Sequence, residues 1–328
     1  MYRLAADIGG TNTRLIYAVL NGSEQTVIAE ADYISADFLS FDQLLERFIS
    51  DKSIHQPVDT ACFAVAGPVK SDVVAVTNLP WTLSAAHLKA KFSIKKVKLI
   101  NDFAAVAYGI PQLKDKELVI LQQGSGQQLM PGDNNAVIIG AGTGLGACYL
   151  VQQQGNYITY PSEAGQASFS PQNRQQADIL NWLWQRQAYV SLESLLSGKG
   201  MVTIYRYLKT VEKMKEDSAV QQQMLLNDAA KVITENAINN NCRLCQKTVE
   251  IFIQIYGSAA SNILLHHYPV SQLYIAGGIA NKIKSLISNG QFIDAFNHKG
   301  IMQKNMQAVT VKLVCQERIG LYGALSQC

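Results

Sequence analysis

The sequence predicts an α/β protein made of two lobes, and three observations support that prediction. The chain has 328 residues, which is more than one ordinary domain and suits two. Apolar runs of strand length alternate with segments of helical spacing, as in a layered α/β architecture. A strand, a glycine-threonine turn and a second strand occur around Gly10 and again around Gly142. Such a repeat is typical of two related lobes that each contribute one loop to a shared site.

The first third of the chain is predicted to be rich in strands. The runs RLAADIG and TRLIYAVL flank the first glycine turn, and DTACFAVAG and KVKLIND follow as apolar runs bounded by turn residues. Between them, SFDQLLERFISD carries apolar residues at Phe41, Leu44, Leu45 and Phe48. This spacing predicts an amphipathic helix among the strands.

From about Ser191 the pattern becomes helical. SLESLLSGKG predicts a short amphipathic segment that ends at Gly198, and longer helical patterns continue to His267. SQLYIAGGIANKIKSLI predicts a strand, a double-glycine turn and a helix. Near the end, AVTVKLV predicts a strand and RIGLYGALS a short helix. The second half is therefore expected to combine strands with many helices.

Composition argues against nucleic-acid and membrane partners. The formal net charge is +3, with 48% hydrophobic and 16% charged residues, and basic residues are scattered. The nearest basic cluster, Lys89 to Lys98, alternates with apolar positions. The N-terminus enters a strand pattern at once, and no uncharged stretch is long and regular enough to span a bilayer. We expect a cytoplasmic protein.

The six cysteines are expected to be reduced thiols, because they are spread through a long chain without a secretory signal. Cys242 and Cys245 have a spacing seen in metal sites, but no second pair accompanies them. They lie in a helical pattern that runs from Asn227 to His267. Buried helical cysteines are therefore predicted in place of a zinc site.

The segment DIGGTNT, residues 7–13, admits three interpretations. It could be a plain β-hairpin, a dinucleotide-binding loop, or a cradle for the phosphates of ATP. A plain hairpin gains little from an apolar strand that ends in Asp7, because an unpaired carboxylate near a core is costly. Asp7 beside phosphate-binding amides is useful if a divalent cation completes the site. Together with the repeat, this favours the phosphate cradle.

The second glycine turn does not support a dinucleotide site. Gly142, Gly144 and Ala147 fit the G-x-G-x-x-A spacing, and Glu163 lies about twenty residues further on. That fingerprint requires a helix at the glycines, whereas ACYLV is a short β-type run. The SGKG at residues 197–200 also lacks the other residues of a Walker A loop. A hairpin cradle of backbone N–H groups, with help from threonine, is left as the phosphate site.

Seven motifs occur along the chain in the order DIGGTNTRL, TNLPW, LINDFAAVAYGI, GAGTGLGACYL, PSEAGQASFSP, VSLESLLSGKG and LYIAGGIA. In this order they resemble the bacterial glucokinase family, and the resemblance extends from Asp7 to Gly323. The family belongs to the ATPase superfamily that includes hexokinase, actin and Hsp70. The cysteine-rich zinc motif of repressor-type sugar kinases is missing from the sequence.

The resemblance implies a two-lobed actin-like ATPase (ribonuclease H-like) fold with a cleft between the lobes. The small lobe would comprise residues 1–110 and 316–328, and the large lobe residues 111–315. Sugar and ATP would meet in the cleft, and the enzyme would convert glucose to glucose 6-phosphate. The protein would be a homodimer. A kinase for another hexose or an amino sugar, or a non-catalytic sugar or nucleotide sensor, are the alternatives.

The resemblance also assigns roles to individual residues. Asp102 would be the catalytic base, and Asp7 would hold Mg²⁺ through water. The residues that would hold ATP are Asp7, Gly9, Gly10, Thr11, Asn12, Gly142, Thr143, Gly144, Gly277 and Gly278. The residues that would bind the sugar are Asn78, Asn101, Asp102, Glu163, Gln166 and Glu193. Carboxylates and amides complement a ring of hydroxyl groups, and phosphoryl transfer needs mainly positioning and charge neutralisation.

Most of the sugar residues also have a structural explanation. Asn101 or Asp102 could cap a helix that follows the strand KVKLI. Glu163 could be an exposed loop charge, Glu193 could lie in the first turn of a helix, and Asn78 could form a turn.

The sequence departs from the family pattern within PSEAGQASF. The family has glycine at the positions of Ser162 and Ala164, and a histidine that contacts the sugar at the position of Gln166. Glutamine keeps a donor and an acceptor but carries no charge. This departure bears on which sugar is bound.

Overall fold

The computed structural model describes residues 1–22, 24–125 and 134–328. The strands are β1 Tyr2–Ile8, β2 Asn12–Asn21, β3 Glu24–Ile34, β4 Thr60–Val65, β5 Val73–Ala75, β6 Thr82–Ser84, β7 Lys96–Asn101, β8 Leu118–Gln122, β9 Ala136–Ala141, β10 Leu145–Gln153, β11 Asn156–Ser162, β12 Gln272–Ala276 and β13 Thr310–Val314. The helices are α1 Phe41–Asp51, α2 Ala85–Lys91, α3 Asp102–Gly109, α4 Arg174–Trp184, α5 Gly198–Thr210, α6 Ser218–Leu226, α7 Ala229–Ile238, α8 Arg243–Leu265, α9 Gly278–Lys282, α10 Lys284–Ile287, α11 Gln291–Asn297, α12 Gln303–Gln307 and α13 Ile319–Ser326.

The chain forms two compact units. Unit 1 contains Met1–Lys114, Tyr157–Pro161 and Arg318–Cys328. Unit 2 contains Asp115–Asn156 and Ser162–Glu317. The predicted α/β class is confirmed in both.

Unit 1 is built on a sheet with the order β3-β2-β1-β4-β7. β1 runs antiparallel to β2 and parallel to β4, and β4 runs parallel to β7. Alternate residues of β1 face two apolar layers, as the pleat of a strand requires. Leu4 belongs to the layer that contains the predicted helix α1, and Ala5 packs with Leu321 of α13. Helix α1 buries Phe41, Leu44, Leu45 and Phe48, as its spacing predicts.

Unit 2 contains strands that pair in the order β10-β9-β12-β13-β8. β9 is buried along its whole length and pairs in parallel with β12, which pairs in parallel with β13. Helix α8 packs in the core of this unit. It is the one helix of the described residues that is long and apolar enough to cross a membrane, and 78% of its most apolar window is buried inside the protein. Burial of that kind is typical of a core helix.

The predicted repeat corresponds to a repeated topology. In unit 1 the hairpin β1–β2 continues through the parallel strands β4 and β7, and in unit 2 the hairpin β9–β10 continues through β12 and β13. Each glycine turn joins the two antiparallel strands of its hairpin. The chain after Gly144 is therefore strand β10 and not a helix, which confirms the exclusion of a dinucleotide fingerprint.

Two helical predictions differ from the structure. Residues 191–197 form turns and not a helical segment, and α5 begins at Gly198, where Ser197 is the N-cap and accepts a hydrogen bond from the Gly200 N–H. The pattern from Asn227 to His267 is divided into α7 and α8. Both segments have apolar residues at helical spacing, whereas the helix starts are set by local caps at Ser197 and Cys242, which periodicity does not reveal.

Cys242 and Cys245 are both buried, as predicted, but Cys242 is the N-cap of α8 and lies before the helix. Its Sγ accepts a hydrogen bond from the Cys245 N–H at 3.4 Å. Across residues 1–22, 24–125 and 134–328, no group of three or more histidine, cysteine or acidic side chains could hold a metal ion. The structure therefore gives these thiols a capping and packing role.

Candidate active site

The first glycine loop is held open by backbone and hydroxyl contacts. It joins β1 to β2, and the Gly9 N–H donates to the Asn12 carbonyl at 3.0 Å. Buried Ser35 donates through Oγ to the Gly9 carbonyl at 2.9 Å and through its N–H to the Thr11 carbonyl at 2.9 Å. Two loop carbonyls are thus satisfied from one residue, while Thr11 and Asn12 stay exposed. The Gly9 N–H is used within the loop, and the exposed residues Thr11 and Asn12 are the ones placed to meet a ligand.

Gly10 lies against Asn78. A Cβ atom on Gly10 would be 3.3 Å from the Asn78 Cβ and 3.3 Å from the Thr77 carbonyl oxygen, so a side chain there would displace these neighbours slightly. Asn78 is exposed and has φ +66°, a conformation that asparagine tolerates better than most residues. Asn78 therefore forms a turn and also lies beside the first glycine loop.

Asp7 is the penultimate residue of β1 and lies beside the N-terminus of α13. Its cross-strand partner is Arg14, and its carboxylate lies against Gly320 in the first turn of α13, where an added Cβ would be 3.0 Å from Oδ2. Burial raises the pKa of Asp7 above the ordinary carboxyl value, and the Arg14 guanidinium acts in the opposite direction. The fold thus places a partly desolvated carboxylate directly before the glycine loop.

Asn101 and Asp102 lie at the same edge of the sheet as that loop. Ile8 is paired with Val65, and Val65 with Asn101, so the carboxyl ends of three parallel strands form one row. Ligands of open α/β sheets bind at this edge. The structure therefore brings Asp7, the first glycine loop and Asp102 to one edge of unit 1.

The capping role belongs to Asn101. Its Oδ1 accepts hydrogen bonds from the N–H groups of Phe103 at 2.9 Å and Ala104 at 3.2 Å, and its Nδ2 donates to the Gly67 carbonyl at 3.3 Å. Asp102 is the first residue of α3, and its Oδ1 also accepts from the Phe103 N–H at 2.9 Å. The helix is capped without Asp102, so capping does not explain the second polar residue.

The second glycine loop has the same form in unit 2. The Gly142 N–H donates to the Gly144 carbonyl at 2.8 Å, and the Gly142 carbonyl accepts from the Gly198 N–H at 3.0 Å. Thr143 between them is exposed. Apart from Gly142 itself and its two chain neighbours, no atom of the described residues lies within 4 Å of the position that a Cβ of Gly142 would take. The loop is anchored at its base and opens onto unfilled space.

The double-glycine turn lies next to this loop. Ala276 at the end of β12 is paired with Gly140, and Gly277 follows with φ +91°. A Cβ on Gly277 would be 2.7 Å from the Ala141 carbonyl, whereas Gly278 faces open space. Both glycine segments therefore lie at the carboxyl ends of adjacent parallel strands of unit 2.

The three predicted sugar residues of unit 2 are brought together. The Gln166 N–H donates to the Glu163 carbonyl at 2.9 Å, and the Glu193 N–H donates to the Gly165 carbonyl at 2.9 Å. The Gln166 side chain donates through Nε2 to Glu193 Oε1 at 3.0 Å. Glu163 and Gln166 are exposed, and Glu193 is half-buried in the turn before α5, not in a helix. These groups present two carboxylates and one amide.

Several supporting residues were not singled out from the sequence. Ser35 holds the first glycine loop, Gly320 makes room for Asp7, and the Tyr189 hydroxyl donates to the Gln166 carbonyl at 2.5 Å. Each acts through a contact between residues far apart in the chain. Periodicity and local motifs carry no signal for such contacts.

A sequence model of the glucokinase family matches residues 4–328 of the chain. A glucokinase from Trichormus variabilis is 38% identical over 336 aligned positions, which cover 98% of this chain and 97% of that protein. The crystal structure of a glucokinase from an Antarctic psychrotroph has a TM-score of 0.81 and 32% identity and covers 100% of this chain and 99% of that one.

A more distant likeness concerns the fold alone. The structure of a ROK family glucokinase from Streptomyces griseus in complex with glucose and AMPPNP has a TM-score of 0.65 at 16% identity, with coverage of 100% of this chain and 99% of that one. The predicted two-lobed ATPase fold class is thereby confirmed.

Proposed function

The chain belongs to the glucokinase family, and from this membership we propose that it transfers the γ-phosphoryl group of ATP to glucose, forming glucose 6-phosphate and ADP. The observation that supports this activity in the structure is the position of Asp102. It lies at the carboxyl edge of the unit 1 sheet beside the first glycine loop, on a helix that Asn101 already caps. Membership of a family of kinases also argues against the non-catalytic sensor.

Asp102 acts as the general base in this proposal. The 6-hydroxyl of glucose gives its proton to the Asp102 carboxylate as its oxygen forms the bond to phosphorus, and the bond to the leaving ADP oxygen breaks. A carboxylate suffices because phosphoryl transfer depends mainly on positioning and charge stabilisation. Asn101 keeps α3 in place and so fixes the position of the base.

The other hydroxyl groups of the sugar are bound by Asn78, Asn101, Glu163, Gln166 and Glu193 in this proposal. These residues supply both acceptors and amide donors, which matches the donor and acceptor character of each hydroxyl. The contact between Gln166 and Glu193 supports a shared role, since two residues that touch each other can address neighbouring hydroxyls.

The glycine segments fit the phosphates and adenosine of ATP. Gly142 and Gly278 border unfilled space, and the carbonyls of Gly9, Thr11 and Gly142 are satisfied from elsewhere in the fold. We propose that Gly9, Gly10, Thr11 and Asn12 in one loop and Gly142, Thr143 and Gly144 in the other hold the phosphates, with Gly277 and Gly278 beside the adenosine. The Gly9 and Gly142 N–H groups donate within their own loops, so the other backbone N–H groups and the threonine hydroxyls would meet the phosphate oxygens.

The Asp7 carboxylate is a suitable protein ligand for the Mg²⁺ ion that would accompany ATP. Magnesium in kinases keeps several waters and is bound through one or two carboxylates plus phosphate oxygens, so a single half-buried carboxylate beside the loop is an adequate protein ligand. When bound, the ion would neutralise charge on the phosphates. Asp7 would hold it through water.

The predicted lobes, 1–110 with 316–328 and 111–315, the homodimer and the cytoplasmic location remain proposals that follow from the family resemblance. We likewise propose that neither nucleic acid nor a membrane is a partner. A kinase specific for another hexose or an amino sugar is the second candidate, and Gln166 in place of the family histidine is the observation that favours it.

A coupled assay of ADP release over a panel of hexoses and amino sugars tests the proposed function. We expect glucose to give the highest kcat/KM, with strict dependence on ATP and Mg²⁺. A higher kcat/KM for another sugar would transfer the assignment to the second candidate. No ADP release with any sugar would contradict a kinase activity altogether.

A further inference from the structure

Glu193 is fixed by its backbone between two functional segments of unit 2. Its N–H donates to the Gly165 carbonyl at 2.9 Å, which ties it to the segment of Glu163 and Gln166. Its carbonyl accepts from Ser197 Oγ at 2.9 Å, and Ser197 caps α5. The position of Glu193 is thus set by the sugar segment on one side and by the start of α5 on the other.

The carboxylate of Glu193 contacts both proposed ligand-binding segments. Oε2 accepts from the Leu145 N–H, the first residue after the second glycine loop, at 2.8 Å. Oε1 accepts from Gln166 Nε2 at 3.0 Å. A carboxylate can accept about four hydrogen bonds, so acceptor capacity remains for a sugar hydroxyl after both contacts are made.

Gly144 leaves space for this carboxylate beside the glycine loop. A Cβ at Gly144 would be only 2.5 Å from Glu193 Oε2 and 3.2 Å from its carboxyl carbon. For Gly142, two residues earlier, the part of the chain that the structure describes places no atom other than those of its chain neighbours within 4 Å of the corresponding position. The absence of a side chain at Gly144 therefore leaves room for the Glu193 carboxylate in its present rotamer, whereas Gly142 borders open space.

The loop has a second link to the same region. The Gly198 N–H at the start of α5 donates to the Gly142 carbonyl at 3.0 Å, and Ser197 bonds to Glu193. The glycine loop, the α5 N-terminus and Glu193 are thus joined in one hydrogen-bonded ring of contacts. A change in the rotamer of Glu193 changes the support of the loop directly.

We propose that Glu193 couples sugar binding to nucleotide binding, as a positioning residue for the phosphate loop in addition to its role at the sugar. This inference rests on the proposed function. A sugar hydroxyl on the Glu193 carboxylate fixes its rotamer, and the fixed carboxylate holds the Leu145 amide and thereby the Gly142–Gly144 loop in the form that receives phosphate. By linkage, bound nucleotide then raises the affinity for sugar by the same factor.

The test is a thermodynamic cycle measured by titration calorimetry. The Kd of glucose is determined with and without a saturating non-hydrolysable ATP analogue and Mg²⁺, and the ratio of the two values is the coupling factor. Coupling between sites is usually about 5- to 150-fold. We expect wild-type protein to lie in this range, and Glu193→Gln to fall close to 1, because an amide cannot accept at both positions from the Leu145 and Gln166 donors.

Two matched pairs separate coupling from loss of a sugar contact. Glu163→Gln removes a charge from the other proposed sugar carboxylate and should weaken glucose binding while keeping the wild-type coupling factor. Gly144→Ala displaces the end of the flexible Glu193 side chain and should reduce the factor without removing any polar group. Gly142→Ala should retain the factor, whatever its effect on nucleotide affinity.

A coupling factor near 1 in wild-type protein that turns over glucose would overturn the inference and leave the proposed function intact. So would Glu193→Gln and Gly144→Ala variants that both keep the wild-type factor. If Glu193→Gln does not fold, the coupling factor of Gly144→Ala alone tests the inference. Wild-type protein that neither binds nor phosphorylates glucose would overturn the proposed function and this inference together.

Discussion

At the residue scale, Asp102 lies at the first position of α3 and shares the Phe103 amide with Asn101. Substitution Asp102→Asn keeps an acceptor for this amide but removes the ability to take a proton. We expect kcat to fall by about 10²- to 10⁴-fold while thermal stability and the Kd of glucose change little. Steady-state kinetics, calorimetric binding and thermal unfolding measure the three quantities. Normal turnover with a lower Tm would make Asp102 a structural residue.

Asp7 is expected to lower the stability of the protein at neutral pH. Because its folded pKa is raised, the native state binds this proton more tightly than the unfolded state, and stability falls as pH rises from the ordinary carboxyl pKa of 3.8 through the folded value. Asp7→Asn should therefore raise the Tm at pH 7 and raise it less near pH 4. The activity of the same variant should also depend less on Mg²⁺ concentration than the activity of the wild-type protein does. A lower Tm at pH 7 would mean that Arg14 and α13 stabilise the ionised form.

Gln166 is the residue at which this chain differs from the family pattern. Its amide donates to Glu193, so it lies where a histidine could also reach that carboxylate. Hydrogen bonds to charged groups are worth about 1.5–3 kcal/mol and neutral ones about 0.5–1.5 kcal/mol. Gln166→His should lower the KM for glucose, most clearly below about pH 6.5, where histidine gains charge, with a smaller effect on kcat. A KM that is unchanged for every hexose over that range would show that residue 166 does not touch the sugar.

At the scale of elements, the two glycine loops differ in what their glycines contact. From the sequence alone, a side chain at either loop is expected to raise the KM for ATP far more than the KM for sugar. The structure revises this for Gly10, because a Cβ there would press on Asn78. We expect Gly10→Ala to raise both KM values and Gly142→Ala to act on the KM for ATP alone. Equal effects of the two variants on the sugar KM would refute the difference.

The elements themselves could be predicted well where periodicity is strong. The spacing of Phe41, Leu44 and Phe48 gives α1, and the alternation of apolar residues around Gly10 gives the hairpin β1–β2. The turn at 191–197 could not be predicted, because its apolar residues are spaced as in a helix. The helix begins only at Gly198, after the N-cap residue Ser197. The link from Glu193 to Leu145 is likewise invisible in the sequence, since the two residues are far apart and follow no period.

In the whole molecule, each unit repeats one arrangement: a glycine hairpin followed by parallel strands. The carboxyl ends of these strands carry Asn101 and Asp102 in unit 1 and the Gly277-Gly278 segment in unit 2. Loops that follow parallel strands all lie at the carboxyl edge of the sheet. Motifs that are far apart in the sequence therefore come together at that edge. The residues that support the loops, such as Ser35 and Gly320, become visible only when the sheets are assembled.

The proposed reaction is phosphorylation of the 6-hydroxyl of glucose at the expense of ATP. The most direct measurement is ³¹P NMR of purified protein incubated with ATP, Mg²⁺ and glucose, with Asp102→Asn as the matched control. We predict that glucose 6-phosphate and ADP form in equal amounts with the wild-type protein and far more slowly with the variant. The proposed reaction would be refuted by ADP with inorganic phosphate in place of a sugar phosphate, or by a phosphate on another carbon. Equal rates for the two proteins would refute the role of Asp102 as the base.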